Sequence, residues 1–90
     1  MEQRFEWDPV KAAANQKRHG ISFTEARSIF DDPFLLRLLD ETHPDRFVAI
    51  GQSNHGRLLV AVVVEKTYLI RIISARRATR HERQRYEEET

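Results

Sequence analysis

The centre of the sheet is predicted at residues 58–64, Leu-Leu-Val-Ala-Val-Val-Val, the longest uninterrupted apolar run in the chain. A strand that is apolar on both faces is typical of a central position in a sheet. Residues 65–67 connect it to a second apolar strand at 68–74, and so short a connection requires antiparallel pairing. The run is far shorter than the ~20 residues that cross a bilayer, so we expect no membrane span.

Three further segments have the pattern of strands. Residues 47–52 precede the central run and are separated from it by the turn 53–56, Ser-Asn-His-Gly. Residues 35–39 form another predicted strand, although their leucine content also permits a helical turn. Alternation in residues 3–7 favours a short strand at the start of the chain.

Helix signals lie on both sides of this sheet. Asp8 and Pro9 predict the start of a first helix, since aspartate is a good N-cap and proline suits the first helical position. Gly20 ends it in the left-handed conformation. Ser22 with Glu25 predicts a capping box for a second helix.

Asp31-Asp32-Pro33 stops that second helix, and we interpret both aspartates as stop and solvation signals. Thr79 with Glu82 predicts another capping box and a short C-terminal helix. The predicted fold class is α+β, an antiparallel sheet with two N-terminal helices and a short C-terminal helix, in one domain over residues 1–90.

Composition excludes several classes of protein. Cysteine is absent, which excludes a disulfide scaffold, a thiolate metal site and a cysteine nucleophile. Three glycines leave no phosphate-cradling loop, and no signal-peptide pattern opens the chain. No histidines stand at metal-ligand spacing, and His43, His55 and His81 have no carboxylate or histidine partners at ligand spacing. We expect a cytoplasmic protein without a metal or cofactor.

The net charge of +1 hides an asymmetry between the two halves of the chain. Residues 1–45 carry 6 basic and 9 acidic side chains, whereas residues 46–90 carry 9 basic and 5 acidic ones. Within residues 71–86, six arginines accompany a single acid, Glu82. Because guanidinium groups suit phosphate, we expect an anionic partner, with a merely solvated charged helix as the alternative.

Two features of this segment are unusual. Arg71 interrupts an apolar strand, where it is either an arginine at the solvent face of the sheet or in a structural ion pair, or a cation held rigidly to meet a phosphate. Glu82 and Tyr86 are four residues apart and share one helix face. Glu82 is otherwise explained as a capping carboxylate, and Tyr86 as a packed ring whose hydroxyl still faces a site.

Seven motifs stand in order over nearly the whole chain. They are Phe5-Glu6-Trp7-Asp8-Pro9-x-Lys11, Asn15-x-Lys17-Arg18-His19-Gly20-Ile21-x-Phe23-x-Glu25-Ala26, Phe30-x-Asp32-Pro33, Ile50-Gly51-x-Ser53, Gly56-Arg57-Leu58-Leu59-Val60, Arg71-Ile72-Ile73-Ser74-Ala75-Arg76-Arg77-Ala78-Thr79 and Glu82-Arg83-x-x-Tyr86. Together these motifs resemble the BrnT toxin family, in which a lysine usually stands where this chain has Arg18.

The resemblance implies the toxin half of a type II toxin–antitoxin pair. It implies a RelE-like ribonuclease fold that cuts RNA and inhibits translation. It also implies a ribbon-helix-helix antitoxin, BrnA, that wraps the toxin and through which alone the complex binds operator DNA.

The residue set suits metal-free RNA cleavage through the ribose 2′-OH, which needs a base, cations at the phosphate and an acid for the leaving 5′-oxygen. We expect Arg71 and Arg76 to clamp the scissile phosphate. Glu82, Tyr86 and His19 are the candidates for orientation or proton transfer, although His19 is otherwise explained as a helix-end cation. The expected RNA-binding residues are Arg57, Lys17, Arg18, Arg77, Arg80 and Arg83.

Two other functions fit the sequence. The basic C-terminal segment suits a non-catalytic module that holds nucleic acid or an acidic protein partner within an antitoxin complex. A degenerate toxin kept as a scaffold for its antitoxin is the third hypothesis. Product formation separates the enzyme from both, whereas steep salt dependence of RNA binding fits the enzyme and the binding module alike.

Overall fold

The computed structural model describes residues 3–89 and contains five strands and three helices within them. A 3-10 turn, Ile29–Asp31, follows the second helix. The elements are β1 (Arg4–Glu6), α1 (Pro9–His19), α2 (Phe23–Ser28), β2 (Leu36–Leu39), β3 (Arg46–Gln52), β4 (Leu58–Lys66), β5 (Leu69–Arg77) and α3 (Arg80–Glu89).

The strands form one sheet in the order β1-β5-β4-β3-β2. Strands β2 to β5 pair antiparallel as predicted, but β1 pairs parallel to β5, so the sheet is mixed and the prediction of an antiparallel sheet is wrong at this edge. Parallel neighbours need a long crossover, and every other strand and two helices separate β1 from β5 along the chain. The α+β class is confirmed.

Strand β4 is central and buried on both faces, as its composition predicts. Helices α1 and α2 cover the first face, on which β4 contributes Leu59, Ala61 and Val63. Helix α3 lies against one end of the second face, over a smaller cluster built on Ile50, Leu58 and Val60. None of the helices within residues 3–89 is long and apolar enough to cross a membrane.

The first helix is attached to the sheet by the side chain of Asn15, which is buried. Its amide nitrogen donates to the carbonyls of Ala75 (2.9 Å) and Ile21 (3.0 Å), and its oxygen accepts from the Ala75 amide at 3.1 Å. Strand β1 pairs only with residues 69–71 of β5. Further along β5, Asn15 bonds the backbone groups of Ala75 that a neighbouring strand would otherwise pair. Asp8 and Gly20 (φ 71°) cap the helix as predicted.

A bulge in β5 sets the direction of its arginines. Val62 pairs with Ser74 and Val63 with Ile72, so Ile73 is an extra residue in the ladder. Arg71 and Arg76 are five residues apart and would point to opposite faces of a regular strand. The extra residue brings both to the second face of the sheet, the face that α3 partly covers.

Candidate active site

Arg71 and Arg76 share a face but lie at different ends of it. They pair with Val64 and Val60, which are four residues apart on β4, or about 13 Å at the rise of a strand. Arg71 also forms an ion pair with Glu6 at 3.1 Å. The two arginines therefore leave the sheet at positions well apart, and each has a carboxylate partner of its own.

Arg76 is held by Glu82 through two hydrogen bonds of 2.7 and 2.8 Å. Glu82 also accepts from the Thr79 amide at 2.8 Å, while its own amide donates to the Thr79 hydroxyl at 3.2 Å, which confirms the capping box. The hydrogen bonds from Arg76, followed by those from Thr79, lower the pKa of Glu82 to about 2 despite partial burial. Glu82 is therefore a fixed anion that orients Arg76, whose side chain stays 42% exposed.

Tyr86 packs its ring on the cluster of Ile50, Leu58 and Val60 and donates its hydroxyl to Asp32 at 2.6 Å. The same carboxylate oxygen accepts from the Gln52 amide at 2.7 Å. The interpretation of Asp32 as a stop and solvation signal is therefore incomplete, because Asp32 joins α3 to the end of β3. Burial and the Asp32 carboxylate raise the pKa of Tyr86 to about 12, so the phenol keeps its proton.

A second buried carboxylate, Glu25, holds the hairpin between β3 and β4. Its side chain is 2% exposed and accepts from the Ser53 hydroxyl at 2.7 Å and from Arg57 through Nε (3.0 Å) and Nη2. The Ser22 hydroxyl accepts from the Glu25 amide, but the carboxylate turns to the hairpin, so only half of that predicted capping box forms. The hydrogen bonds from Arg57, more than any other contact, lower the pKa of Glu25.

The same hairpin contains His55, whose Nδ1 lies 3.3 Å from Glu25 Oε1. His55 therefore has a carboxylate neighbour in the fold that spacing in the sequence does not indicate. His43 has one as well, since its Nδ1 lies 3.5 Å from Asp40 Oδ2. Glu25 precedes His55 by 30 residues, so no short spacing motif could have revealed this contact.

Backbone contacts bring several basic segments to one end of the sheet. The Ala78 amide donates to the Leu58 carbonyl at 3.0 Å, which sets the hairpin beside the start of α3. Asn15 fixes the last turn of α1 to Ala75, two residues before Arg77. We call this end of the sheet the basic end; its residues are Lys17, Arg18, His19, Arg57, Arg76, Arg77, Arg80 and Arg83.

The cations of the basic end differ in their availability. Arg57 and Arg76 are neutralised by Glu25 and Glu82. By contrast, no ion pair within residues 3–89 involves the exposed Lys17, Arg18, Arg77 or Arg80. His19 and Arg83 are exposed as well. No three acidic, histidine or cysteine side chains of the described chain converge as a metal site would require.

Comparison with known proteins identifies the family. The family model described as "Ribonuclease toxin, BrnT, of type II toxin-antitoxin system" matches residues 7–82. The fold is similar to that of the Brucella abortus ribonuclease toxin BrnT, with a TM-score of 0.70 and 21% identity over 87% of this chain and 99% of that chain. No curated protein matches the chain. The family match confirms the resemblance found in the sequence: the chain belongs to the BrnT family of ribonuclease toxins of type II toxin–antitoxin systems.

Proposed function

We propose that this chain cleaves RNA by attack of the ribose 2′-OH on the adjacent phosphate, without a metal ion, and thereby inhibits translation. The observation that carries the proposal is the basic end of the sheet, which combines cations without an ion-pair partner in residues 3–89 with an arginine, Arg76, that Glu82 orients. Such a surface binds a polyanion through its backbone phosphates. A preorganised guanidinium also stabilises the charge that develops on the scissile phosphate.

Arg71 and Arg76, both expected from the sequence to clamp the scissile phosphate, have different roles in this proposal. Arg76 contacts the scissile phosphate, because it lies at the basic end and keeps an exposed guanidinium. Arg71 starts about 13 Å away along the face and contacts a phosphate further along the RNA. The other binding residues, which contact the RNA backbone, are Lys17, Arg18, Arg57, Arg77, Arg80 and Arg83.

The ionisation state of Tyr86 and of Glu82 decides the role of each in proton transfer. Tyr86 retains its proton and is suited to donate it to the leaving 5′-oxygen. Glu82 is too weak a base to accept the 2′-OH proton and acts by positioning Arg76. His19 is exposed at the end of α1 and is the second candidate for proton transfer.

The partner in this proposal is a ribbon-helix-helix antitoxin of the BrnA type. Membership of a type II toxin–antitoxin family implies an antitoxin, and the unpaired cations of the basic end favour an acidic covering surface. We group the fold with the RelE-like ribonucleases and place the protein in the cytoplasm. Operator DNA is bound only through the antitoxin.

The test is incubation of the purified chain with a defined RNA, with and without EDTA, followed by analysis of the fragment ends. We expect 2′,3′-cyclic phosphate ends in both conditions, and at least 100-fold slower cleavage by Arg76→Ala with unchanged circular dichroism. Lys66→Ala, at the other end of β4, is the matched control. RNA that is bound but left intact, also with translating ribosomes, would establish the non-catalytic binding module instead.

A further inference from the structure

The hairpin between β3 and β4 holds an exposed imidazole against a buried anion. The side chain of His55 is 62% exposed, whereas that of Glu25 is 2% exposed. The His55 amide donates to the Ser53 hydroxyl at 3.1 Å, and that hydroxyl donates in turn to Glu25. The ring of His55 thus lies beside the Glu25 carboxylate, and its backbone is linked to that carboxylate through Ser53.

The contact with Glu25 favours one tautomer of the ring. With Nδ1 3.3 Å from an anionic oxygen, the favoured neutral tautomer carries its proton on Nδ1. Nε2 is then a free lone pair on the side of the ring away from Glu25. A carboxylate that orients an imidazole and stabilises its protonated form is the arrangement that general-base histidines use.

The other histidines of the described chain lack one part of this arrangement. His43 approaches Asp40 at 3.5 Å, but the Asp40 side chain is 26% exposed and lies in the connection between β2 and β3. His19 and His81 are exposed and have no ion pair within residues 3–89. His55 alone among the four combines an exposed ring with a buried carboxylate.

The position of His55 in the fold also favours it as the functional histidine. The ring precedes Arg57 by two residues, and the backbone contact between Leu58 and Ala78 sets this hairpin beside the start of α3. The Gln52 amide, at the other end of the hairpin, donates to the carboxylate that holds Tyr86. Tyr86, the candidate proton donor, is therefore linked through Asp32 to the residue before this turn, and His55 lies within the turn.

We propose that His55 is the general base of RNA cleavage and that Glu25 is its positioning residue, an inference that rests on the proposed function. Nε2 takes the proton from the ribose 2′-OH while the O2′–P bond forms. The P–O5′ bond breaks, and the leaving 5′-oxygen takes a proton from Tyr86 or water. The products are a 2′,3′-cyclic phosphate and a 5′-hydroxyl.

The charged groups around His55 are Glu25 from α2 and Arg57, the residue before β4, which pairs with the same carboxylate. Glu25 stays ionised because of its hydrogen bonds from Arg57, and arginine does not titrate in the accessible range. Imidazoles titrate between about pH 5 and 8. A rise of the cleavage rate with pH in this range is therefore assigned to a histidine.

The experiment is single-turnover cleavage of a defined RNA between pH 5 and 8 by the wild-type chain, His55→Asn and His43→Asn. We expect His55→Asn to cleave about 100-fold more slowly, to lose the rise with pH and to bind RNA within about twofold of wild type. His43→Asn removes the corresponding histidine at a carboxylate that is only partly buried, and should retain both the rate and the profile.

The outcomes separate the two proposals. RNA left intact by the wild-type chain, also with translating ribosomes, overturns the proposed function and this inference with it. Cleavage by the wild type with His55→Asn within about threefold overturns the inference alone. Nitrogen-15 NMR spectra of the His55 imidazole test the inference without a cleavage assay. A neutral His55 that carries its proton on Nε2 instead of Nδ1 would also overturn the inference.

Discussion

The hydroxyl of Tyr86 lies 2.6 Å from Oδ2 of Asp32, and this hydrogen bond joins residues 54 positions apart. It ties a helix without a single buried residue to the turn that follows α2. The pair of Arg76 and Glu82 also attaches α3 to the sheet. A polar helix therefore docks through one aromatic ring and two carboxylates.

Tyr86→Phe should lower the free energy of unfolding by about 1.5–2 kcal/mol, since a hydrogen bond to a charged acceptor is lost. Tyr86→Ala should cost about 3 kcal/mol because the ring also leaves the apolar cluster. Urea denaturation measures both values. Tyr68→Phe is the control, because Tyr68 is 57% exposed and its change should stay within about 0.5 kcal/mol. A Tyr86→Phe variant as stable as wild type would contradict the expectation.

Glu82→Gln should make stability less dependent on acid pH. The folded-state pKa of Glu82 is lowered from 4.5 to about 2, so its ionised form contributes stability above pH 4.5. This contribution is lost as pH falls from 4.5 through 2. We expect the variant to be about 1–2 kcal/mol less stable at pH 7, with a gap that narrows toward pH 2.

Denaturation curves at several pH values give this comparison. Glu88→Gln, an exposed acid on the same helix, serves as the control and should follow the wild type. A constant gap between Glu82→Gln and wild type at all pH values would argue against an ionised, paired Glu82.

Arg57→Ala should be strongly destabilising, by about 3–4 kcal/mol, because it leaves the Glu25 carboxylate buried without its main partner. The deficit should shrink toward acid pH, since a protonated Glu25 is less costly to bury. Glu65→Gln breaks a pair with Arg37 in which both side chains are about half exposed, and should cost less than about 1 kcal/mol. Equal effects of the two substitutions in thermal denaturation would refute this ranking.

Asn15→Ala should cost about 3 kcal/mol, since it leaves the Ala75 amide and carbonyl and the Ile21 carbonyl without their partner. Hydrogen exchange should then accelerate first at the end of α1 and at Ala75. The neighbouring exposed Gln16→Ala is the control and should leave both stability and exchange unchanged. Uniform acceleration across the sheet would show that Asn15 does not act locally.

Arg77→Ala and Arg80→Ala should each weaken RNA binding and reduce the slope of log affinity against log salt by about 0.7. Neither arginine has an ion-pair partner in the described chain, so each is available to neutralise a phosphate and displace a counterion from the RNA. Lys66→Ala, at the opposite end of β4, should leave the slope unchanged. Fluorescence anisotropy over a salt series measures the effect, and an equal loss in all three variants would mean diffuse rather than localised binding.

Local chemistry was sufficient for several predictions. The caps formed by Asp8, Gly20 and the Thr79–Glu82 box follow from residue type and spacing. The central position of β4 follows from a run that is apolar on both faces. The family was also accessible, because seven ordered motifs of this chain resemble it and the family model matches residues 7–82.

Long-range contacts could not be obtained in the same way. The parallel pairing of β1 with β5 joins residues about 65 positions apart, and the contact between Glu25 and the hairpin spans about 30. Nothing in the local pattern distinguishes Asp32 from a helix stop until Tyr86 reaches it.

Residue types and their order were therefore enough to establish the secondary structure, the central strand, the family and the excess of arginine near the C-terminus. Packing alone established which arginines are neutralised, which carboxylate faces a histidine and which arginines share a face. The physical reason is clearest at Ile73: a bulge arises from the pairing of β5 with β4, not from residues 69–77 themselves, and it turns Arg76 to the same side as Arg71.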